Sequence, residues 1–163
     1  MKILLATDDS QFSEAAAKSL AGQFRCQDTE VRVLHVVEPL AISAPPQMSP
    51  GYYPELENRL PQAHEIVDRA AKTLLSAGFR VTTSVATGDP RSVILDAAAE
   101  WHADLIVLGS HGRKGVGRFF LGSVSEAVAR HAHCSVQIVR IHLKPPTLGR
   151  TRTPALHYFA SGQ

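Results

Sequence analysis

Between Asp104 and Ser125 the chain gathers residues whose types and spacing suit the binding of an anion. An apolar run, Leu105-Ile106-Val107-Leu108, passes into Gly109-Ser110-His111-Gly112. It continues as Arg113-Lys114-Gly115-Val116-Gly117-Arg118-Phe119-Phe120-Leu121 and reaches Gly122-Ser123 at the start of a helical pattern. A buried strand feeding a glycine-bearing loop that opens a helix is the usual construction of a phosphate cradle. Glycine lets backbone N–H groups approach the anion, and the helix N-terminus adds partial positive charge. Arg113, Lys114 and Arg118 lie between Gly109 and Gly122, and no acid does. Spacing excludes two better-known cradles: there is no G-x-x-x-x-G-K-[ST], and Gly109-x-x-Gly112-x-x-Gly115 is not the G-x-G-x-x-G of a dinucleotide fold. Ser123 with Glu126 three residues on also fits a capping box, which needs no ligand.

The elements that must position this loop follow from periodicity. Ile3-Leu4-Leu5-Ala6-Thr7 is a continuous apolar run, as expected of a strand covered on both faces, and it ends at Asp8-Asp9-Ser10. Ser10 or Ser13 caps a helix whose apolar stripe is Phe12, Ala16, Leu20 and Phe24. A second strand spans Val31 to Val37. From Glu38 to Pro54 five prolines and Gly51 predict a long loop, either a lid or contact surface carrying Tyr52 and Tyr53 or an ill-ordered surface segment. A long helix carries Leu56, Leu60, Ala63, Val67, Ala70 and Leu74 and stops at Gly78. Arg80 to Ala86 reads as a third strand with Val81, Thr83 and Val85 on one face. Asp89 caps the next helix with Pro90 in its first position, and its stripe is Ile94, Ala97, Ala98 and Trp101. Leu105–Leu108 is the fourth strand, 123–131 a helix, and Val136–Ile141 the fifth strand. The alternation β-α-β-α-β-α-β-α-β predicts an α/β domain with a mainly parallel sheet and helices on both faces. Ligands in such sheets sit beyond the carboxyl ends of the strands where the strand order reverses, and Asp8 and Gly109 are candidates to flank that point.

Composition sets outer bounds. With 163 residues, 44% of them hydrophobic, the chain is sized for one domain, 1–143, followed by a tail, 144–163, without periodicity. No apolar run approaches the ~20 residues of a membrane span, and the N-terminus lacks a signal-peptide pattern, so a cytoplasmic location is expected. A net charge of +2 is too small to argue for nucleic acid. Cys26 and Cys134 form no disulfide framework and no metal pattern, and are read as buried free thiols.

Gly109, two residues, Gly112, nine residues, then Gly122 and Ser123 match the pattern of the nucleotide-binding branch of the universal stress protein family, which the chain resembles over about residues 1–141. Asp8-x-Ser10 resembles the family's first-strand ending, Leu34-His35-Val36 its second-strand ending, and Gly88-Asp89-Pro90 also matches. The resemblance implies a Rossmann-like, adenine nucleotide α-hydrolase-like domain with strand order 3-2-1-4-5, and a homodimer paired through the fifth strand. Val136, Ile138 and Ile141 are chemically consistent with an exposed apolar edge of that kind. It further implies ATP, or AMP or ADP, in the cleft. Asp8 and the backbone of Ala6 and Val36 are expected around the adenine, and Gly109 and Gly112 near the ribose and α-phosphate. Gly115, Gly122, Ser123, Val124 and Ser125 are expected to hold the phosphates. Thr7, Ser110, His111 and Arg113, from the same loops, complete the expected set. Where the family usually has a small residue after the first aspartate, Asp9 stands here, either holding Mg2+ or repelling the triphosphate. His133 and Ser135 replace prolines common around Cys134, and the tail has no counterpart in short family members.

His111 and His35 lie near the expected site without forming a recognisable catalytic dyad. The expected activity is therefore that of a binding module. In it, nucleotide occupancy would bias the 38–54 loop and the choice of an unidentified protein partner. The alternatives are a slow ATP hydrolase or phosphotransfer enzyme using the same pocket, and a dimeric scaffold with a vestigial one.

Overall fold

The computed structural model of the chain describes residues 1–39, 54–112 and 121–141, and only the backbone of 54–58. The elements run β1 (Lys2–Ala6), α1 (Gln11–Gln23), β2 (Glu30–Val37), α2 (Pro54–Ser76), β3 (Arg80–Thr87), α3 (Pro90–Trp101), β4 (Leu105–Gly109), α4 (Ser123–His131) and β5 (Ser135–Val139). The strands form one sheet in the order β3-β2-β1-β4-β5, and every adjacent pair is parallel. The strand order and the alternation expected from the sequence are both observed. No helix among the described residues is long and apolar enough to cross a membrane.

Each face of the sheet has its own core. Ile3 and Leu5 of β1, Val31 and Val33 of β2, and Leu105 and Val107 of β4 pack under α1 and α2, against Ala16, Leu20, Val67, Ala70 and Leu74. The alternate residues, Leu4, Ala6, Leu34, Ile106 and Leu108, pack under α3 and α4, against Ile94, Ala98 and Val128. Burial on both faces is why β1 and β4 read as continuous apolar runs rather than as alternation. α1 and α3 start where their caps predict. Of the two candidate serines Ser10 is the N-cap of α1, accepting from Ser13 N–H at 3.3 Å. Asp89 caps α3 by accepting from Arg91 N–H, with Pro90 next. The Gly88 N–H donates to Val37 O at 3.1 Å, which ties the entry of α3 to the end of β2.

Some sequence expectations shift. The fifth strand is Ser135–Val139, not Val136–Ile141, because its partner β4 ends at Gly109, opposite Val139. Val136 and Ile138 are half-buried against the second core, so they are not the bare apolar edge expected. Thr83 is exposed while Val81 and Val85 pack inward, as suits an outer strand. Leu60 is 39% exposed. At 23 residues α2 is about 34 Å long against about 26 Å for an eight-residue strand, so it is longer than the strands it packs on. Cys26 and Cys134 are free thiols and half-buried rather than fully buried. Burial is the main cause that pushes the Cys134 thiol above its ordinary range. The 40–53 loop, and with it Tyr52 and Tyr53, and the tail lie outside the described residues, as does the Leu56 side chain.

The fold also makes an opening. β1 and β4 pair only at Ile3↔Leu105, Leu4↔Ile106 and Leu5↔Val107. Beyond that β1 follows β2, with Thr7 N–H donating to Leu34 O at 2.9 Å, while β4 follows β5, with Ser110 N–H donating to Val139 O at 2.8 Å. The strands part at the point where the strand order reverses.

At Gly109 a Cβ would stand 2.7 Å from the Phe12 carbonyl carbon and 2.9 Å from its oxygen, whereas at Gly22 it would meet nothing within 4 Å. Gly109→Ala must displace α1 and is expected to destabilise by about 2 kcal/mol or more. Gly22→Ala, in the last turn of α1, is expected to stabilise by about 0.5 kcal/mol. Urea midpoints without nucleotide measure both.

Candidate functional site

A cavity of about 420 Å³ occupies the opening between the ends of β1 and β4, a volume that suits a small ligand. One wall is apolar: Leu34, Val36, Ile94, Leu108 and Val124, all on the α3–α4 face of the sheet, with Pro90 from the start of α3. The opposite side is polar, with Thr7, Asp8, Ser13, His35 and Glu38 from the ends of β1 and β2 and the start of α1. The glycine loop and the first turn of α4 close the remainder through Gly109, His111, Gly112, Leu121, Gly122, Ser123 and Ser125. A flat apolar group and a polar, anionic group can be held side by side in such a space.

The polar side is tightly ordered. Asp8 Oδ1 accepts from Ser10 N–H at 3.0 Å and from the Ser13 hydroxyl at 2.5 Å, while Asp8 N–H donates to Ser13 Oγ at 3.0 Å. His35 is buried and its Nδ1 lies 2.7 Å from the Thr7 carbonyl. A carbonyl only accepts, so Nδ1 carries the proton. Glu38 is fixed at the rim, its carbonyl accepting from Arg59 Nη1 at 2.9 Å.

Each glycine of the loop motif has a close neighbour where a side chain would begin, with backbone within 3.0 Å only at Gly109. Gly109 is pressed against Phe12. At Gly112 a Cβ would stand 2.8 Å from Asp8 Oδ2, and at Gly122 it would lie 3.3 Å from both His111 Cα and Ser110 O. Gly122 N–H donates to Ser110 O at 2.8 Å, which folds the end of the loop back on its beginning. Gly122 is the N-cap of α4, and it offers no side-chain hydrogen bond to the helix. Ser123 is therefore the first helical residue and not the cap. The capping-box expectation fails, and Glu126 pairs with Arg130 at 2.8 Å instead. A glycine cap leaves the amides of the first turn without the side-chain acceptor that serine or aspartate would supply. Ser123, Val124 and Ser125, which carry those amides, line the cavity. That end of the helix is suited to an anion. Ser125 turns its hydroxyl to Gly109 O at 2.7 Å, joining α4 to the end of β4.

His111 adds a second polar group in need of a partner. Its ring lies 5.2 Å from that of Phe12 and its Nδ1 is 3.1 Å from Ser110 Oγ. Among the described residues Nε2 is a buried atom with no hydrogen-bond partner. Such an atom carries a desolvation cost of about 1–3 kcal/mol.

Of the residues expected from the sequence, Ala6, Thr7, Asp8, Val36, Gly109, His111, Gly112, Gly122, Ser123, Val124 and Ser125 meet around the one cavity. Ser110 does not line it; it is 1% exposed, and its backbone holds β5 and Gly122. Arg113 and Gly115, with Lys114 and Arg118, lie outside the described residues. Sequence reasoning missed Ser13, whose signal was its place one turn after Asp8. It also missed Pro90 and Ile94, which read as helix start and core stripe.

The universal stress protein family model matches residues 1–140. The universal stress protein MJ0531 of Methanocaldococcus jannaschii is 33% identical over 140 residues, 85% of this chain and 81% of its own. One from Thermus aquaticus is 34% identical over 139 residues, covering 85% and 97%. Among solved structures, the hypothetical protein MJ0577, whose biochemical function was assigned from its structure, superposes with a TM-score of 0.76 at 30% identity over 88% of this chain and 97% of its own. An Arabidopsis thaliana family member with AMP bound gives 0.60 at 19% identity over 88% and 93%. A universal stress protein in complex with cAMP gives 0.62 at 19% over 85% and 96%. These last two likenesses are of fold.

The Asp89 cap that holds Pro90 against the cavity responds to pH. Side-chain and then backbone hydrogen bonds from Arg91 hold its carboxyl below the ordinary 3.8. A carboxyl lowered by folding stabilises the fold above its unfolded value, and that contribution is lost as pH falls through the folded value. Asp89→Asn is therefore expected to weaken the acid-side fall in stability below about pH 4. Because the group is fully exposed the effect is small, and urea midpoints between pH 3 and 6 measure it.

Proposed function

Since the chain belongs to the universal stress protein family, we propose that it is a regulatory module that binds an adenine nucleotide in the cavity between β1 and β4. The observation that carries this reading is the uncapped N-terminus of α4, open to a cavity whose other wall is apolar. The base lies against Val36 and Ile94, next to Ala6, Thr7 and Asp8. The ribose and α-phosphate pass Gly109, His111 and Gly112. The phosphates meet the amides of Ser123, Val124 and Ser125 beyond Gly122. Arg113, Gly115 and the neighbouring cations complete the cradle, and Ser110 supports it from beneath. ATP is the proposed ligand, with ADP or AMP in the same seat and Mg2+ accompanying the triphosphate. The family members solved with AMP and with cAMP support an adenine nucleotide as the class.

The module spans residues 1–143, works in the cytoplasm, and forms a homodimer. In it the outer edge of β5, which among the described residues pairs only with β4, meets that of a second copy. Sedimentation velocity is expected to give twice the chain's 17.6 kDa; a monomer at micromolar concentration contradicts this part of the reading.

The test of the site is calorimetric titration of ATP and of adenosine into protein freed of co-purified ligand, comparing wild type with Ser123→Glu. A carboxylate in the first turn favours the helix by about 0.3–1 kcal/mol while opposing a phosphate. ATP binding is expected to weaken by about tenfold or more, with adenosine unchanged and the melting temperature equal or higher. Absence of ATP binding by the wild type, or equal loss for ATP and adenosine, overturns the reading.

A further inference from the structure

Helix α4 has nine residues, and only two of them, Ser125 and Val128, are buried. Val128 packs in the second core. Ser125, one turn nearer the cavity and 3% exposed, anchors the helix by a hydrogen bond instead of by packing: its hydroxyl donates to Gly109 O at 2.7 Å. That carbonyl lies where the sheet splits. Backbone groups of successive residues point to opposite sides of a strand, and Ser110 N–H is given to Val139 of β5. The Gly109 carbonyl therefore turns toward β1, whose pairing with β4 has ended at Leu5↔Val107. In a continued ladder its donor would be Asp8 N–H, which goes to Ser13 Oγ. Ser125 supplies the donor that the interrupted ladder does not. The next carbonyl, Ser110 O, accepts from Gly122 N–H at 2.8 Å. Two successive carbonyls at the end of β4 thus hold the cap and the third residue of α4, and they join the two stems of the glycine loop to each other.

We propose that Ser125 is a positioning residue for the anion seat: its hydroxyl, by holding Gly109 O, sets the first turn of α4 against the end of β4, so that the amides of Ser123, Val124 and Ser125 are in place before the ligand arrives. This rests on the nucleotide reading and deepens it, because it gives the Ser125 hydroxyl a role other than phosphate ligation. A serine hydroxyl has one proton, and here Gly109 O receives it, so the backbone N–H is what Ser125 offers a phosphate oxygen. Donors already aimed at the anion lose little freedom when it binds. Alanine at 125 leaves the carbonyl of buried Gly109 without that donor and releases the first turn of α4 from β4. The ligand must then order the turn on binding, and that ordering opposes affinity.

Amide hydrogen exchange without nucleotide and calorimetry with ATP and with adenosine test the proposal on wild type, Ser125→Ala and Ser125→Thr, which keeps a hydroxyl. Thermal unfolding verifies that each is folded. In ligand-free wild type the Gly122 amide is expected to exchange at least about tenfold more slowly than an unstructured amide, and Ser125→Ala is expected to remove most of that protection. Ser125→Ala is expected to weaken ATP by about five- to tenfold while changing adenosine by less than about twofold. Ser125→Thr is expected to retain ATP affinity better than Ser125→Ala. Equal weakening of ATP and adenosine marks a residue that only builds the fold. Weaker ATP binding with Gly122 exchange unchanged marks a hydroxyl that acts on the phosphate directly. Either result, or an unprotected Gly122 amide in the free wild type, overturns the inference and leaves the nucleotide reading standing. No ATP binding by the wild type overturns the nucleotide reading and the inference together.

Discussion

The site depends on a ladder that stops early. β1 and β4 share three residue pairs and then separate, each drawn along by its outer neighbour. The cause is topological. The chain leaves β1 through α1 on one face of the sheet, whereas it leaves β4 through α4 on the other, so the two exits diverge. Backbone groups at such a split are not satisfied by a continuing ladder. Thr7 N–H and Ser110 N–H find their acceptors on β2 and β5, and the space between them becomes the cavity. Had β1 and β4 stayed paired for two more residues, Ala6 and Leu108 would have closed it.

The glycines then serve two demands at once. Gly109 allows α1 to pack on the end of β4, Gly112 admits the Asp8 carboxylate, and Gly122 lets the loop return against Ser110 and His111. The same absence of side chains leaves the start of α4 without a cap and open to the cavity. A serine or aspartate at Gly122 would give the helix a better start but would occupy the amides that an anion needs. The fold therefore forgoes local helix stability where the start of α4 faces the cavity. The Nε2 of His111, which has no partner among the described residues, belongs to the same pattern of polar groups around the cavity.

Most of the fold was legible because its signals are local. β1 and β4 are unbroken apolar runs, Asp89-Pro90 and Ser10 start helices, and helices alternate with strands. What escaped depends on tertiary neighbours. Ser123 and Glu126 satisfy a capping pattern, yet the return of Gly122 to Ser110 moves the cap one residue earlier. Leu60 belongs to a valid helical stripe but is exposed among the described residues. The end of β5 is set by β4 and not by its own Ile141. In the site, motif spacing pointed to Asp8, Gly109, Gly112, Gly122 and Ser123, which line the cavity. It said nothing of Ser13, Pro90 or Ile94, because their signatures are those of ordinary caps and core stripes. Ser110 shows the converse: its place in the motif made it a ligand candidate, while its backbone is wholly engaged within the fold.

The central claim is that the amides at the start of α4 receive the phosphates of a nucleotide. The most direct measurement is a proton–nitrogen correlation spectrum of labelled protein titrated with ATP and, separately, with adenosine. The account predicts that the amides of Ser123, Val124 and Ser125 move far more with ATP than with adenosine, while those of Val36 and Ile94 respond to both. Saturation with ATP that leaves the Ser123, Val124 and Ser125 amides where adenosine leaves them would contradict it.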